Sequence, residues 1–494
     1  MASIAAVPPA GGHAPRIPNV VPALAGGALL FGFVAGTLTA SGRGVAVVGL
    51  AAVLVPVALW KRPYLTPAVL IFAALAIEQF PDESGAGSLN LTQRIPLFHG
   101  LGSLRLSPAD LVLGGLFIVA LLKARDQGTL SRLKTPVTYV LLGLLGAVLV
   151  GVAVGLSHGG AFRVAFMECR PYVYLTATYI LGCLCLTNRK AIVAVLWGIV
   201  AAAGLKAVQA LYIFAGIRGM APRPEAVLGH EEALFFGVFI ALTGALWLYG
   251  IEGRLRTTAT ALLPLVLMGD LVNSRRAAWL ILGGGLIVLA IIAARSLPSR
   301  RLLVMRLGAV ILVILGLYLP AFWNKSGGLA QPARAVRSTV APSVRDASSD
   351  LYRVQEDANL RVNIKQGGVL GKGFGVPIAY PLEIADIRDI DPLIEYVPHN
   401  GVLYVLMRMG VLGGVALWVL IGSGILVGGR LARSPDRMHA MVGAVLVCAM
   451  VGYALEGAVD QGFFFYRIAF VTGTLLALGE AARRLQRRPE GAVR

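Results

Sequence analysis

The residues of this chain best suited to chemistry stand where polar segments meet apolar ones. His399 and Asn400 lie at such a boundary, in Val397-Pro398-His399-Asn400-Gly401. A histidine has an unperturbed pKa of about 6.5, so near neutral pH much of it is free to take a proton from a hydroxyl, the work of a general base. Asn400 beside it offers an amide that could orient the ring or a sugar. After Asn400 come nine residues, then Gly410, two more, then Gly413 with Gly414 beside it. Small residues recurring at i and i+3 or i+4 let helices pack closely. A second boundary, Asn273-Ser274-Arg275-Arg276-Ala277-Ala278-Trp279, places two guanidinium groups at the mouth of an apolar run. Guanidinium forks pair bidentately with phosphate oxygens and neutralise charge that develops on a leaving group. Arg170, near Glu168 in another apolar run, Arg223 and Arg361 extend the set of candidate phosphate ligands.

The elements that must position these groups are membrane helices. Of 494 residues 57% are hydrophobic and only 14% charged, and the mean hydropathy is +0.76, outside the range of ordinary soluble domains. The net charge of +19 then serves orientation and contact with anionic lipid headgroups, not nucleic acid. Cys169, Cys183, Cys185 and Cys448 all fall in apolar runs and read as small buried hydrophobes.

A span needs roughly 20 mostly apolar residues. Fourteen segments qualify, near 20–40, 44–60, 64–80, 108–124, 135–156, 165–186, 190–216, 232–250, 258–272, 277–294, 304–322, 400–428, 437–457 and 462–482. The third and ninth are short enough to be re-entrant, so the expectation is an all-α integral membrane protein of 12–14 transmembrane helices. Lys and Arg concentrate in the short connections after even-numbered segments and in the C-terminal tail, which predicts two cytoplasmic termini. The chain divides into a disordered cytoplasmic N-terminus (1–19), a helix bundle (20–322), a large extracytoplasmic loop (323–398), C-terminal transmembrane helices (399–482) and a basic cytoplasmic tail (483–494). The loop carries nine Lys/Arg and nine Asp/Glu. Its middle, 349–366, reads as a helix with Ser349 as N-cap and Asp350 in the first turn, ended by Gly367-Gly368.

His-Asn, nine residues, Gly, two residues, Gly, placed just after a long outer loop, resembles the mark of the O-antigen ligase and polymerase family. Upstream, Arg361-Val-Asn-Ile-Lys followed by Gly371-Lys-Gly373-Phe-Gly375 is similar to that family's Arg and Gly-x-Gly run, and Arg275 stands at the arginine of its Ser-Arg motif. The likeness covers roughly residues 225 to 430. It departs around Arg218, Arg223 and Gly229-His230-Glu231-Glu232, where the family's Arg-x-x-Gly and Asn find only a loose counterpart in Arg223.

The resemblance implies a membrane glycosyltransferase of the inner membrane. Its donor would be a polyprenyl-diphosphate-linked glycan, and its acceptor a hydroxyl of a glycan, lipid core or protein on the outer face. His399 would act as base in an inverting displacement that needs no metal or other cofactor. Nearby arginines are expected to hold that histidine neutral. Arg275, Arg276, Arg361, Arg223, Arg170 and Asn400 would hold the donor, and Gly371, Gly373, Gly410 and Gly413 would shape the site. Two other readings stay open: polymerisation of the same lipid-linked units, and transport of the lipid by a flippase using Lys206, Asp270 and Glu456. Asp386, Asp389 and Asp391 contain an Asp-x-Asp step of the kind that holds divalent cations, though the interleaved Ile and Arg388 favour an amphipathic surface segment. His230-Glu231-Glu232 lacks a second ligand pair at zinc spacing.

Overall fold

The computed structural model describes residues 59, 62–79, 89–90, 92–100, 106–220, 226–325, 327–387 and 393–487. Within them the long elements are α1 (Thr66–Ala76), α2 (Pro108–Asp126), α3 (Pro136–Ser157), α4 (Phe162–Cys185), α5 (Arg189–Gly216), α6 (Glu232–Leu248) and α7 (Arg254–Asn273). They continue with α8 (Arg276–Ser296), α9 (Arg301–Phe322), α10 (Gln331–Val340), α11 (Val344–Gly367), α12 (Gly401–Leu431), α13 (Arg437–Val459) and α14 (Tyr466–Gln486). Twelve of the fourteen apolar segments coincide with a helix; the first two, 20–40 and 44–60, lie outside the described residues but for residue 59. Among the described residues seven helices are long and apolar enough to cross a membrane, and α7, expected to be short, is one of them at 20 residues. The protein is an all-α integral membrane protein.

Sequence sets the helix ends. Ser107, Thr135, Asn188 and Asn400 each cap the helix that follows by accepting a backbone N–H through the side-chain oxygen. Short connections join successive helices from α2 to α5, from α6 to α9 and from α12 to α14. α4 packs on α14, α12 on α13, α5 on α1 and α7, and α8 on α6 and α13. Small residues permit these approaches. A Cβ on Gly473 would meet the Leu175 backbone, and one on Gly428 would fall 2.7 Å from the Gly443 oxygen. α13 and α14 are buried along nearly their whole length, whereas Val304 is the buried residue of α9.

The polar loop folds as two helices, not one. α11 begins at Val344, five residues before the expected start, because Ser343 is the cap: its Oγ donates to Asp346 Oδ2 at 2.7 Å and accepts from the Asp346 N–H at 3.2 Å. Ser343-x-x-Asp346 closes a capping box with both N-terminal donors satisfied, which Ser349 with Tyr352 three residues on cannot. The helix ends at Gly367, as the glycine pair requires, with Gly368 at φ 60°. Its far half is locked to the irregular chain beyond by Asn359 and Asn363, whose amides bond backbone groups of Leu382 and Ala379 at 2.7–3.0 Å.

Candidate functional site

α11 lies across the ends of α8, α12 and α13, and the groups that face each other there are charged. At the start of α12, the Asn400 Oδ1 accepts the Leu403 N–H at 3.1 Å as N-cap, while its Nδ2 donates to both oxygens of Asp357 on α11, at 3.1 and 3.3 Å. Asn400 is thereby spent on capping and on clasping α11, a different task from the expected orientation of the histidine or a sugar. The histidine is oriented by Glu356. That carboxylate is fully buried, and its two oxygens engage one residue: Oε2 accepts the His399 backbone N–H at 3.0 Å and Oε1 faces Nδ1 at 3.2 Å. The Tyr352 ring meets the imidazole edge-on at 5.8 Å, and the His399 side chain keeps 21% of its surface exposed.

This environment corrects the expectation that arginines hold His399 neutral. Burial and the Arg353 charge do push toward the neutral form, but the hydrogen bond and charge of Glu356, with Asp460 beyond, outweigh them and raise the histidine's pKa above its ordinary value. A carboxylate at hydrogen-bonding distance dominates over more remote cations.

Arg275 is reached through a chain of three side chains. Its NH1 donates to His230 Nε2 at 2.7 Å, and His230 Nδ1 meets Asp460 Oδ2 at 2.6 Å. An arginine can only donate, so His230 carries its proton on Nδ1 and passes it toward Asp460. Arg275 NH2 also donates to the Leu228 carbonyl at 3.2 Å. Asn273 holds that segment through Leu228 N at 2.8 Å and Gly229 O at 3.4 Å. Ser274 makes the reversal between α7 and α8 at φ 56°, so Asn273 and Arg275 both turn to the 228–230 segment. Arg353 of α11 completes the group, with NH1 on the Val459 carbonyl at 2.6 Å and NH2 3.9 Å from Asp460. Although burial opposes it, His230 and Arg353 hold the Asp460 carboxyl well below the usual carboxylate range. Glu456, one turn earlier and fully buried, adds a carboxylate whose oxygens have no hydrogen-bond partner among the described residues. Arg276 reaches α11 instead, 3.1 Å from Asp350 and 3.9 Å from Asp346.

The glycines form a backbone joint under this group. Gly371, Gly373 and Gly375 all have φ near +80°, a region that only glycine enters cheaply. The strap they make bonds α12 through Lys372 N to Met407 O at 2.7 Å and α3 through Phe374 N to Gly151 O at 3.0 Å. Gly410 breaks the helical dihedrals of α12 (φ 59°, ψ −154°), and a Cβ there would fall on the Val369 carbonyl, as one on Gly373 would fall on Gly155. Gly413 abuts the Met409 side chain. Arg408, with no exposed surface, bolts the joint. It pairs with Glu168 at 2.7 Å and donates to the carbonyls of Gly373, Val376 and Tyr396 at 2.6–3.0 Å.

Other expected site residues go elsewhere. Arg170 does not join the group around His399; it pairs with Asp110 of α2 at 3.2 Å and covers the Phe166 ring, and its neighbour Glu168 belongs to Arg408. Arg361 sits on the exposed face of α11, one turn beyond Asp357. Arg223, Asp389 and Asp391 lie outside the described residues; Asp386 is placed before that gap. His230-Glu231-Glu232 separates, with His230 in the chain above and the glutamates on Arg467 at 2.9 and 2.6 Å. Lys206 is enclosed by Glu78 and Glu232. Asp270 is buried, its Oδ1 without a hydrogen-bond partner among the described residues. Sequence reading missed Arg353, Glu356, His230 as a partner of Arg275, and Asp460. Arg353, Glu356 and Asp357 follow Asp346 and Asp350 at helical spacing, which marks one charged face once the helix is started at Ser343.

Fold and site together define a multi-pass membrane protein with a titratable, arginine-bearing cluster at one end of its bundle beneath a helical loop. Residues 258–418 match the family model described as O-antigen ligase, which shows the resemblance to that family over these residues and supports a ligase- or polymerase-type role at the membrane. No curated protein matches the chain.

Proposed function

We propose that the protein transfers a glycan from a polyprenyl diphosphate to an acceptor hydroxyl at the outer face of the membrane, as an O-antigen ligase does. The observation that carries this reading is the juxtaposition around α11 of a basic histidine, His399, with the arginine-bearing cluster of Arg275, His230, Asp460 and Arg353. His399 Nε2 takes the acceptor's proton as its oxygen attacks the anomeric carbon. The bond to the diphosphate oxygen breaks on the opposite side, which inverts the centre without a covalent intermediate. Diphosphate is a good leaving group and needs no strong acid, so Arg275 and Arg353 serve by neutralising the charge that grows on it. Arg276 and Arg361 stand further out on the path of an anionic donor. An outer location for this end of the bundle, with both termini in the cytoplasm, is supported by the excess of Lys and Arg in the short connections of the opposite side.

Ligase and polymerase differ in acceptor, and the ligase reading is favoured by the His399-Asn400 to Gly410 and Gly413 spacing and by the description of the matching family. Transport through Lys206 fits less well, since that ammonium is already matched by Glu78 and Glu232. The purified protein, given a labelled polyprenyl-diphosphate oligosaccharide with and without acceptor, should yield one acceptor-dependent shift on a gel. His399→Ala should abolish it, a loss on the order of 10²- to 10⁴-fold for a general base, while the folded protein persists. An acceptor-independent ladder would make the enzyme a polymerase; equal products from both proteins would remove His399 as base.

A further inference from the structure

We infer that Glu356 is the positioning residue of the proposed base, fixing the tautomer of His399 so that Nε2 faces the acceptor; this rests on the reading of His399 given above. Three observations support it. Both carboxylate oxygens are committed to one residue, the backbone N–H and the Nδ1 of His399 at 3.0 and 3.2 Å, so the carboxylate fixes the ring's place as well as its rotation. Glu356 has no solvent exposure while the imidazole keeps 21%, so the ring's open edge lies away from the carboxylate. And α11 is held in place by other means, Asp357 on Asn400, Arg353 on Val459 and Asp350 on Arg276, so clasping the helix does not require a glutamate at 356.

The chemistry follows from the hydrogen bond. A neutral imidazole donating from Nδ1 to a carboxylate keeps its lone pair on Nε2. When Nε2 takes the acceptor's proton, the O–H bond breaks, the new oxygen–carbon bond forms, and the carbon–oxygen electron pair departs with the diphosphate. The imidazolium left behind is matched by the Glu356 carboxylate until it returns its proton to water. A histidine fixed in the other tautomer would present an N–H to the acceptor and remove nothing. In serine proteases, replacing the carboxylate that orients the catalytic histidine lowers turnover by about 10⁴-fold for this reason.

The discriminating variant is Glu356→Gln, which keeps shape and loses charge. With labelled polyprenyl-diphosphate oligosaccharide as probe, kcat should fall roughly 10²- to 10⁴-fold with the donor KM nearly unchanged. The acid limb of the pH profile should move to lower pH, because the carboxylate that raises the histidine's pKa is gone. Glu356→Asp should recover part of the rate. A second measurement needs no turnover: in detergent-solubilised protein with ¹⁵N-labelled histidine, the His399 signals, identified by their loss in His399→Gln, should report an Nδ1–H tautomer. An Nε2–H tautomer in the native protein overturns the proposal, as does an unchanged rate and pH profile in Glu356→Gln when His399→Ala is inactive. If His399→Ala itself stays active, the base reading fails on its own, and the tautomer still decides whether Glu356 orients the ring.

Discussion

Two sets of arginines divide this molecule. Arg408 and Arg467 have no exposed surface and each guanidinium meets four polar groups, Glu168 and three carbonyls in one case and Glu231, Glu232, Ala74 O and Leu75 O in the other. Arg276 and Arg353 each keep 38% of the side chain exposed, and among the described residues they meet the carboxylates of Asp350 and Asp460 at 3.1 and 3.9 Å. A charge inside the bilayer region is costly unless fully paired, so the first set reads as internal bolts. A charge held loosely at the end of the bundle retains capacity for another anion. Pairing, more than position in the sequence, separates structural arginines from those available to a ligand.

The sharpest way to break that distinction is Arg408→Leu. It removes the cation paired with buried Glu168 and frees the strap at Gly373, Val376 and Tyr396, and should lower stability by about 3–5 kcal/mol, read as loss of monodisperse folded protein or a large drop in the detergent melting temperature. If Arg408→Leu instead leaves the fold intact, burial has been misread as necessity. Next in size, Arg275→Lys keeps the charge but loses the fork that spans His230 and Leu228 O, and should reduce kcat by about 10²-fold with the melting temperature nearly unchanged. Smallest is Arg276→Ala, which removes a half-exposed pair to Asp350 worth about 0–1 kcal/mol. Its effect should appear as a weaker donor affinity that fades as salt is raised. A salt-independent loss would place Arg276 with the bolts.

Much of this arrangement was legible in the sequence. Hydropathy placed each described helix of the bundle, since twenty apolar residues in a row have few alternatives, and Gly367-Gly368 fixed the end of α11. The roles of the glycines were half-readable: Gly410 and Gly413 suggested close packing on one helix face, but Gly410 is instead a break where backbone meets backbone, which requires knowing that residues 369–371 lie against it. The pairings were not readable, because they depend on which helices meet. Glu168 is two residues from Arg170 yet faces Arg408 from another helix, and Arg361 carries the motif while Arg353, two turns earlier on the same helix, stands beside Asp460. A single misplaced N-cap, Ser349 for Ser343, was enough to hide the face that bears Arg353 and Glu356.

Ser274 is the one non-glycine among the described residues with a left-handed backbone, and with Arg275 it forms the whole connection between α7 and α8. Two membrane helices joined by so little chain leave no slack for an inserted reporter, epitope or protease site, so the tagging of loops by which membrane topology is commonly mapped would fail at this junction for mechanical reasons. The long 323–398 segment, at the same end of the bundle, offers exposed turns such as 341–343 between α10 and α11. A tag placed there reports the sidedness of both.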